Sequence, residues 1–397
     1  MLEMRSITPE EFLPWLSAES RAHGNRLNHD PEVLRPHFDL DRSIAVFDQG
    51  QIVGGSHSHS LVISTPGSSA IVAGVSNVAV QPTHRRQGVM TQMMQHQIRD
   101  IHEREEPLAA LFASESLIYG RFGYGVGSLY EQWSIPREHN SYAQPFRDNG
   151  NITFVHPSNI PTVLPDISKR STANRAGVVQ KSMHHWQQEA QAPEHLEGGQ
   201  GGLFYACYQT DERTEGYVIY RIRDRVLYVN ELMATSKVAY RCLWRFCFDT
   251  DLVTRTEANK RPVDDALPWM LADPRRLQRN IRDGLWLRII DVHSALKQRY
   301  YSKNDALVLE IKDELCPWNQ ASFRLEGSTE GATCYLSSES PDLTLPISAL
   351  ASTFLGAVTF STLAQAGLIQ EGKSGALKRA DAMFEVEQQP WTPNNFG

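Results

Sequence analysis

The segment VAVQPTHRRQGVMTQMMQHQIRD at residues 78–100 combines a short strand, a basic turn and an amphipathic helix. Residues 78–80 form a largely β-branched run that suits a strand, and Pro82 is a natural end to it. After Gly88, apolar side chains recur at the three- and four-residue spacing of a helix, at Met90, Met93, Met94, Ile98 and Ile101. The spacing predicts a helix with one buried face.

The turn between this strand and helix carries two arginines and a glycine, in the order RRQGVM at residues 85–90. Gly88 lets backbone N–H groups come close to a ligand, because it has no Cβ to hold the ligand away. The first turn of a helix adds unpaired N–H donors and the positive end of the helix dipole. The turn therefore suits a phosphate group, although a turn of this kind can equally be a structural connection.

A second segment, SESLIYGRFGYG at residues 114–125, follows an apolar strand predicted at residues 108–112. This order of elements resembles the acetyl-CoA-binding core of the GNAT N-acetyltransferases, whose loop reads R/Q-x-x-G-x-G/A. Arg85, Gly88 and Met90 stand at the three loop positions, so methionine replaces the last small residue. The strings QPTHRRQG, SESLIYGRFGYG, LPWMLAD and DGLWLRIIDV together are similar to the Eis (enhanced intracellular survival) branch of that family.

The resemblance implies an α+β chain with two tandem GNAT-like α/β domains, the second degenerate, and then a sterol-carrier-protein-like domain. The expected boundaries are residues 1–145, 146–292 and 293–397. A length of 397 residues agrees with more than one compact domain. In the middle region a strand at 226–233 and a helix at 240–248 repeat the first pattern, but the turn MATSK at 233–237 has neither glycine nor arginine. Such a turn has no evident means of holding a phosphate.

Charge and composition narrow the classes of function. The formal net charge is -7, which argues against nucleic-acid binding and is compatible with cationic substrates. The first residues, MLEMRSITPEEF, lack the basic start and apolar core of a signal peptide, and no apolar run is long enough to span a membrane. We therefore expect a cytoplasmic protein that does not bind membranes.

Two residue patterns that could hold a metal are interpreted as structural. The 5 cysteines are scattered and never form a C-x-x-C pair. His57 and His59 share one face of a predicted strand, but no carboxylate or cysteine stands beside them, which favours a polar strand face. We therefore predict no metal site.

The resemblance also implies where acetyl-CoA binds as co-substrate, in the V between two splayed parallel strands. The diphosphate is expected on the turn, where Arg85 either contacts it or faces solvent, and the thioester near the backbone of the first strand. The residues expected to contact it are Val78, Ala79, Val80, Arg85, Arg86, Gln87, Gly88, Val89, Met90, Thr91, Ser114 and Glu115.

The reaction implied by the family is direct attack of a primary amine, from a small molecule or a lysine side chain, on the thioester. Tyr119 is expected to be the general acid toward the departing thiolate, although on spacing alone it could be a core aromatic. The carboxylate of Gly397 is expected to be the general base, because the chain end of the family returns to the first domain. Family members commonly end in an aromatic residue, so glycine is a departure.

Two other functions are compatible with the sequence. One is an acyltransferase that uses a longer acyl-CoA or that acts on protein N-termini. The other is an acyl-CoA-binding regulator or lipid carrier without turnover. The family resemblance further implies a homo-oligomer, a hexamer.

Overall fold

The structure is a computed structural model in which residues 2–27, 34–191 and 202–396 are described. The strands of these residues, in chain order, are β1 (Glu3–Ser6), β2 (Ser43–Asp48), β3 (Gln51–Thr65), β4 (Ser68–Val80), β5 (Leu108–Phe112), β6 (Gly125–Val126), β7 (Leu129–Pro136), β8 (Asn151–Phe154), β9 (Phe204–Gln209), β10 (Thr214–Arg223), β11 (Val226–Ala234), β12 (Arg255–Arg261), β13 (Gln278–Asp283), β14 (Leu285–Ile289), β15 (Asp305–Lys312), β16 (Ser322–Ser328), β17 (Gly331–Leu336), β18 (Leu343–Pro346) and β19 (Gln370–Glu371).

Helices alternate with these strands. They are α1 (Phe12–Ala22), α2 (Val89–Glu103), α3 (Ser116–Tyr119), α4 (Ile160–Ser171), α5 (Met183–Gln191), α6 (Lys237–Asp249), α7 (Leu267–Met270), α8 (Val292–Lys297), α9 (Ile347–Phe354), α10 (Phe360–Gln365) and α11 (Ala376–Phe384). Within the described ranges, no helix is both long enough and apolar enough to cross a bilayer.

The chain divides into two compact units. The first takes in residues up to 128, residues 285–387 and the chain end from 395, and the second takes in residues 129–284 and 388–394. The first unit holds two sheets, ordered β1-β2-β3-β4-β5-β14-β6 and β17-β16-β15-β18-β19, and the second unit holds one, ordered β13-β7-β12-β11-β10-β9-β8. The predicted α+β class is confirmed. The short strand predicted at residues 78–80 is the end of β4, which has 13 residues.

Two strands belong to sheets that their position in the sequence does not suggest. β7 pairs with β12 in the sheet of the second unit, and β14 pairs with β5 in the first sheet. Each of the two similar sheets is thus completed by a strand from elsewhere in the chain. The division into domains at residues 145 and 292 stays a prediction.

The first sheet is covered on both faces. On one face α1 contributes Phe12, Trp15 and Leu16 to a core with Ala45 and Phe47. On the other face the apolar stripe of α2 is buried, as the spacing of Met93, Met94, Ile98 and Ile101 predicts. Two covered faces hold the strands of this sheet in fixed positions.

The C-terminal segment of the first unit is tied to the first sheet by a buried ion pair. Arg288 on β14 is fully buried, and its Nη2 donates to both carboxylate oxygens of Asp313 at 2.8 Å. Asn319 donates to the carbonyl of Ile290 at 3.0 Å and to Asp313 at 3.0 Å. Because a buried charge is costly without a partner, these bonds favour one arrangement of this segment on β14.

The sheet of the second unit repeats the parallel pair of the first, but its groove is filled by its own side chain. β11 and β12 pair in parallel only as far as Val229 and Ala258. Beyond that point Arg261 Nη1 donates to the carbonyl of Leu232 at 3.1 Å, and its Nη2 pairs with Asp265 at 2.7 Å. The guanidinium thus takes an edge group of β11 that a ligand would need.

The helix that follows β11 is also capped from within. Ser236 Oγ accepts the N–H of Ala239 at 3.1 Å and donates to the carboxylate of Glu215 at 2.5 Å. A hydroxyl on the first turn and a carboxylate beside it occupy the place of an anion. These contacts are the physical reason why the second copy is degenerate.

Candidate active site

A cleft opens in the first sheet where two parallel strands part. β4 and β5 pair only from Val72 and Leu108 to Gly74 and Ala110. β4 then continues to Val80 without β5 beside it. The edge of β4 beyond Gly74 therefore has backbone groups that a ligand can pair with.

A β-bulge lies in this free part of β4. The pairing register of β3 and β4 shifts between Gly55 and His57, so Asn77 and Val78 together stand opposite Ser56. Asn77 has a φ of 53°, in the left-handed region that few residues other than glycine adopt. A bulge bends and twists its strand, which turns the end of β4 away from β5.

The turn after β4 presents a row of free N–H groups. Arg86 and Gly88 both have left-handed backbone, with φ of 63° and 81°. The first bond of α2 runs from the N–H of Gln92 to the carbonyl of Gly88, and no acceptor among the described residues takes the N–H groups of residues 87–91. Successive free amides at the positive end of a helix bind anions. The turn therefore fits a diphosphate.

Arg85, the first arginine of the turn, is held by the protein itself. Its Nε donates to the carbonyl of Val80 at 3.2 Å and its Nη2 to the carbonyl of Ala22 at 2.7 Å. These bonds join the end of β4 to the end of α1. Arg85 shapes the turn, whereas the neighbouring Arg86 is exposed beside the free amides.

Tyr119 is the last residue of α3 and is buried, with 5% of its surface exposed. Its ring packs edge-on against Tyr124, with 5.9 Å between the ring centroids. Burial raises the pKa of the Tyr119 phenol, and a hydrogen bond with Ser114 opposes that shift in part. Ser114 and Glu115 are exposed just before α3. The phenol is therefore protonated at neutral pH and available as a donor.

The end of the chain returns to the point where the two strands part. The ring of Phe396 packs on Phe112 of β5, with 5.1 Å between the centroids. A Cβ on Gly74 would lie 2.8 Å from the Phe396 ring and 2.4 Å from Leu61, so only glycine leaves room for these side chains. Gly397, the predicted base, lies outside the described residues.

The sequence did not predict the burial and the hydrogen bonds of His57 and His59. They were expected to form a polar strand face, but His57 is fully buried and its Nε2 lies 3.3 Å from Nδ1 of His59. Ser43 Oγ lies 2.8 Å from His57 Nδ1, and Ser76 Oγ lies 3.3 Å from His59 Nε2. The period-two pattern SHSHS at residues 56–60 could have indicated that the two rings lie side by side on one face of β3. Both serines come from other strands, which the sequence could not reveal.

Comparison with known proteins agrees with this geometry. An acetyltransferase (GNAT) domain model matches residues 3–127, a second such model matches residues 177–289, and a sterol carrier protein domain model matches residues 292–393. The N-acetyltransferase Eis of Mycobacterium tuberculosis is 30% identical over 359 residues, which cover 87% of this chain and 86% of that protein. The chain belongs to the Eis family of GNAT N-acetyltransferases. The expected domain types and their order are confirmed.

Other relatives of this Eis-family enzyme cover its whole length. An uncharacterized N-acetyltransferase of Streptomyces avermitilis is 33% identical over 407 residues, which cover 99% of each chain. The crystal structure of Eis1 from Mycobacterium abscessus superposes with a TM-score of 0.86 at 31% identity and covers 99% of this chain and all of that one. The enzyme is thus an N-acetyltransferase, as predicted.

The left-handed Gly88 of the acetyltransferase allows a matched test of the turn. A Cβ at Gly88 would meet only Gln92, at 3.9 Å, so side chains fit there. Asn and Asp both tolerate left-handed backbone better than most residues, and only Asp adds a negative charge. We expect Gly88→Asp to raise the Kd for acetyl-CoA at least about tenfold relative to Gly88→Asn, because like charges repel at this short range.

Isothermal titration at two salt concentrations measures this effect. The difference between the two variants should shrink as salt rises, since screening weakens an exposed charge interaction. Equal affinities of the two variants would show that no anion binds at this turn.

The two buried histidines make the stability of the enzyme depend on pH. Burial lowers the pKa of His57 to about 2 and that of His59 to about 4. Below pH about 6.5 the unfolded chain binds protons at both rings that the folded chain does not bind. The free energy of unfolding is therefore expected to fall by about 1.4 kcal/mol per pH unit for each ring, from about pH 6.5 down to about pH 4.

Urea unfolding at pH 7 and pH 5 measures this dependence. The variant His57→Gln should lose less stability between the two pH values than the wild type. The variant Ser58→Ala leaves both rings in place and should keep the wild-type pH dependence. The same loss in wild type and His57→Gln would contradict the prediction.

Proposed function

We propose that this enzyme moves an acetyl group from acetyl-CoA to a primary amine of a cationic substrate, such as an aminoglycoside, a polyamine or a lysine side chain. One observation carries the proposal. The cleft between β4 and β5 has a row of free amides at one end, and Tyr119, which is buried and protonated, packs in the same core as Val75 of β4 and Leu111 of β5. That combination suits a donor with a diphosphate and a leaving group that needs a proton.

The residues on the donor side have separate roles in this proposal. Acetyl-CoA supplies the acetyl thioester, and the amides of Arg86 to Thr91 hold its diphosphate. The backbone of β4 at Val78, Ala79 and Val80 pairs with its amide groups, apart from the carbonyl of Val80, which accepts from Arg85. The amide groups of acetyl-CoA would otherwise lose their hydrogen bonds when they leave water. Ser114 and Glu115 line the rim beside α3.

Tyr119 is the proposed general acid toward the leaving sulfur. An ordinary phenol has a pKa of about 10 and an ordinary thiol one of about 8.5, so complete proton transfer is uphill by about 2 kcal/mol. Burial raises the Tyr119 pKa, which increases that cost. Donation of a hydrogen bond stabilises the developing thiolate without complete transfer.

The carboxylate of Gly397 is the proposed base for the amine. Support comes from its neighbour Phe396, which is packed on Phe112 at the mouth of the cleft. An α-carboxylate has a pKa of about 3.5, far below that of an alkylammonium, so it needs help from burial or from a relay. Its charge also attracts a cationic substrate.

The test is release of CoA by the full-length chain with acetyl-CoA and a panel of polyamines, aminoglycosides and lysine peptides. We expect steady turnover with at least one primary amine and a product heavier by one acetyl group in the mass spectrum. Turnover only with longer acyl-CoA would establish the alternative acyltransferase. Binding of acetyl-CoA without CoA release from any amine would overturn the proposal in favour of a regulator or lipid carrier.

The proposal includes a cytoplasmic homo-oligomer, a hexamer, as the family resemblance implies. Light scattering behind a sizing column measures the assembly directly. A particle of six chains is the expected result. A monomer would contradict this part of the proposal. It would not affect the proposed acetyl transfer, which the amine panel tests separately.

A further inference from the structure

A line of polar side chains crosses the first sheet and ends at the cleft. It runs from Ser43 on β2 through His57 and His59 on β3 to Ser76 on β4, with neighbouring atoms 2.8, 3.3 and 3.3 Å apart. Ser76 Oγ also lies 2.8 Å from Oδ1 of Asn77, the residue of the bulge. The line therefore joins a buried interior to the free edge of β4.

This line lies on the face of the sheet that the chain end covers. His59 stands directly opposite Gly74, and residues opposite each other across a pair of strands share a face. A Cβ on Gly74 would touch the ring of Phe396, so Phe396 lies on that face. Ser76 is two residues along β4 from Gly74. The polar line and the ring of Phe396 thus lie on the same side of the sheet.

The hydrogen bonds fix which nitrogen of each ring carries the proton. Ser43 Oγ donates its single proton to the carbonyl of Asp39 at 2.9 Å, so the bond between Ser43 and His57 is donated by Nδ1–H of His57. A neutral His57 then has an unprotonated Nε2, which accepts Nδ1–H from His59. The remaining nitrogen, Nε2 of His59, carries a lone pair directed at Ser76.

The geometry points to His59 and Ser76 as a proton relay for the acceptor amine. This inference rests on the proposed acetyl transfer, in which the carboxylate of Gly397 takes one proton from the ammonium before attack. It adds the group that takes the second proton, which the nitrogen releases as it bonds to the acetyl carbon. The hydroxyl of Ser76 has two acceptors in reach, His59 Nε2 and Asn77 Oδ1. It can therefore turn its proton from one to the other.

The relay step moves one proton from the amine nitrogen to His59. The amine nitrogen forms a bond to the acetyl carbon, the bond from that carbon to sulfur breaks, and the nitrogen loses one proton. Ser76 Oγ takes this proton while its own proton moves to Nε2 of His59. After the amide product leaves, the proton returns from His59 through Ser76 to water in the open cleft, and the thiolate is stabilised by Tyr119.

The charges around His59 favour rapid release of that proton. Arg42 lies beside β3, where its Nε donates to the carbonyl of Ser58 at 2.7 Å and its Nη2 pairs with Glu106 at 2.5 Å. Burial first, and then the charges of Arg42 and His37, lower the pKa of His59. The ring is therefore neutral before each turnover and returns quickly to that state.

The experiment compares substitutions along the line in the full-length chain. We expect His59→Gln and Ser76→Ala each to lower kcat for a primary amine by about 10- to 100-fold, within the range of general acid–base effects, with the KM for acetyl-CoA changed less than about twofold. In His59→Ala, added imidazole should restore at least about a tenth of the lost kcat. A merely structural role would not allow this rescue.

Ser58, on the same strand as His59, provides the matched control for Ser76→Ala. Ser58 is the neighbour of His59, and its buried Oγ has no hydrogen-bond partner among the described residues. Ser58→Ala should therefore keep the wild-type kcat. Wild-type kcat in Ser76→Ala or His59→Gln, or loss of kcat in His59→Ala without imidazole rescue, would overturn the relay.

The same experiment separates the relay from the proposed function. Failure of the acetyl transfer itself appears as a wild-type chain that releases no CoA with any amine. Failure of the relay appears as an active wild type whose His59 and Ser76 variants are equally active. An acceptor of low pKa, such as a hydrazine, should lose less kcat than an alkylamine in His59→Gln, because it needs less help to give up its proton.

Discussion

Removal of Phe396 and Gly397 is expected to lower kcat for a primary amine by about 100-fold or more, while the Kd for acetyl-CoA changes less than about twofold. General acid–base groups contribute about 100- to 10,000-fold, and this deletion removes the proposed base together with its anchor. The diphosphate turn and the free edge of β4 remain in place, since they belong to residues 78–91. CoA release and titration with acetyl-CoA measure the two quantities.

A one-residue extension separates the charge from the anchor. An alanine added after Gly397 keeps Phe396 in place but moves the carboxylate by about 3.5 Å. Amidation of Gly397 removes the charge without changing the length. We expect both forms to lose most of the turnover and to keep the wild-type free energy of unfolding. Full activity of the amidated chain would exclude the carboxylate as the base.

Tyr119→Phe is expected to lower kcat by about 100- to 1,000-fold with little change in KM for either substrate. The phenol acts on the leaving sulfur, so its loss affects the transition state more than the bound ground state. Burial raises the pKa of Tyr119, so the phenol stays protonated throughout the neutral and mildly basic range. The remaining ring still fills its place against Tyr124. Steady-state kinetics with the best amine of the panel measure the effect.

Tyr124→Phe is the matched control for Tyr119→Phe. Tyr124 is fully buried, burial raises its pKa, and its hydroxyl has no hydrogen-bond partner within the described ranges. Because an unpaired buried hydroxyl costs about 1 to 3 kcal/mol, Tyr124→Phe should keep activity and leave stability equal or higher. Equal activity in Tyr119→Phe and wild type would remove Tyr119 from the chemistry.

Patterns within one segment were predictable from the sequence. β5 begins and ends at the predicted residues, and α2 buries the predicted stripe, because period and turn chemistry act between residues close in the chain. The motifs around Gly88 and Tyr119 likewise predicted the family. The turn MATSK predicted a degenerate second copy, although not the reason, which is the Arg261 guanidinium in the groove.

Contacts between segments that are distant in the chain could not be predicted from these local patterns. Arg85 was considered for phosphate or solvent, but it donates to the carbonyls of Val80 and Ala22. β7 and β14 were not expected in the sheets that they complete. A strand edge accepts any strand that matches its hydrogen bonds, so pairing is decided by the packing of the whole chain.

The sequence by itself determined many of the strands and helices, the glycine turn before α2, the tyrosine that ends α3 and the membership of the Eis family, since each depends on residues that are neighbours in the chain. Only the tertiary structure decided that Ser43, His57, His59 and Ser76 form one line and that Phe396 covers Gly74. Those groups come from three strands and the chain end, and they meet because the sheet register and the small size of glycine bring them together.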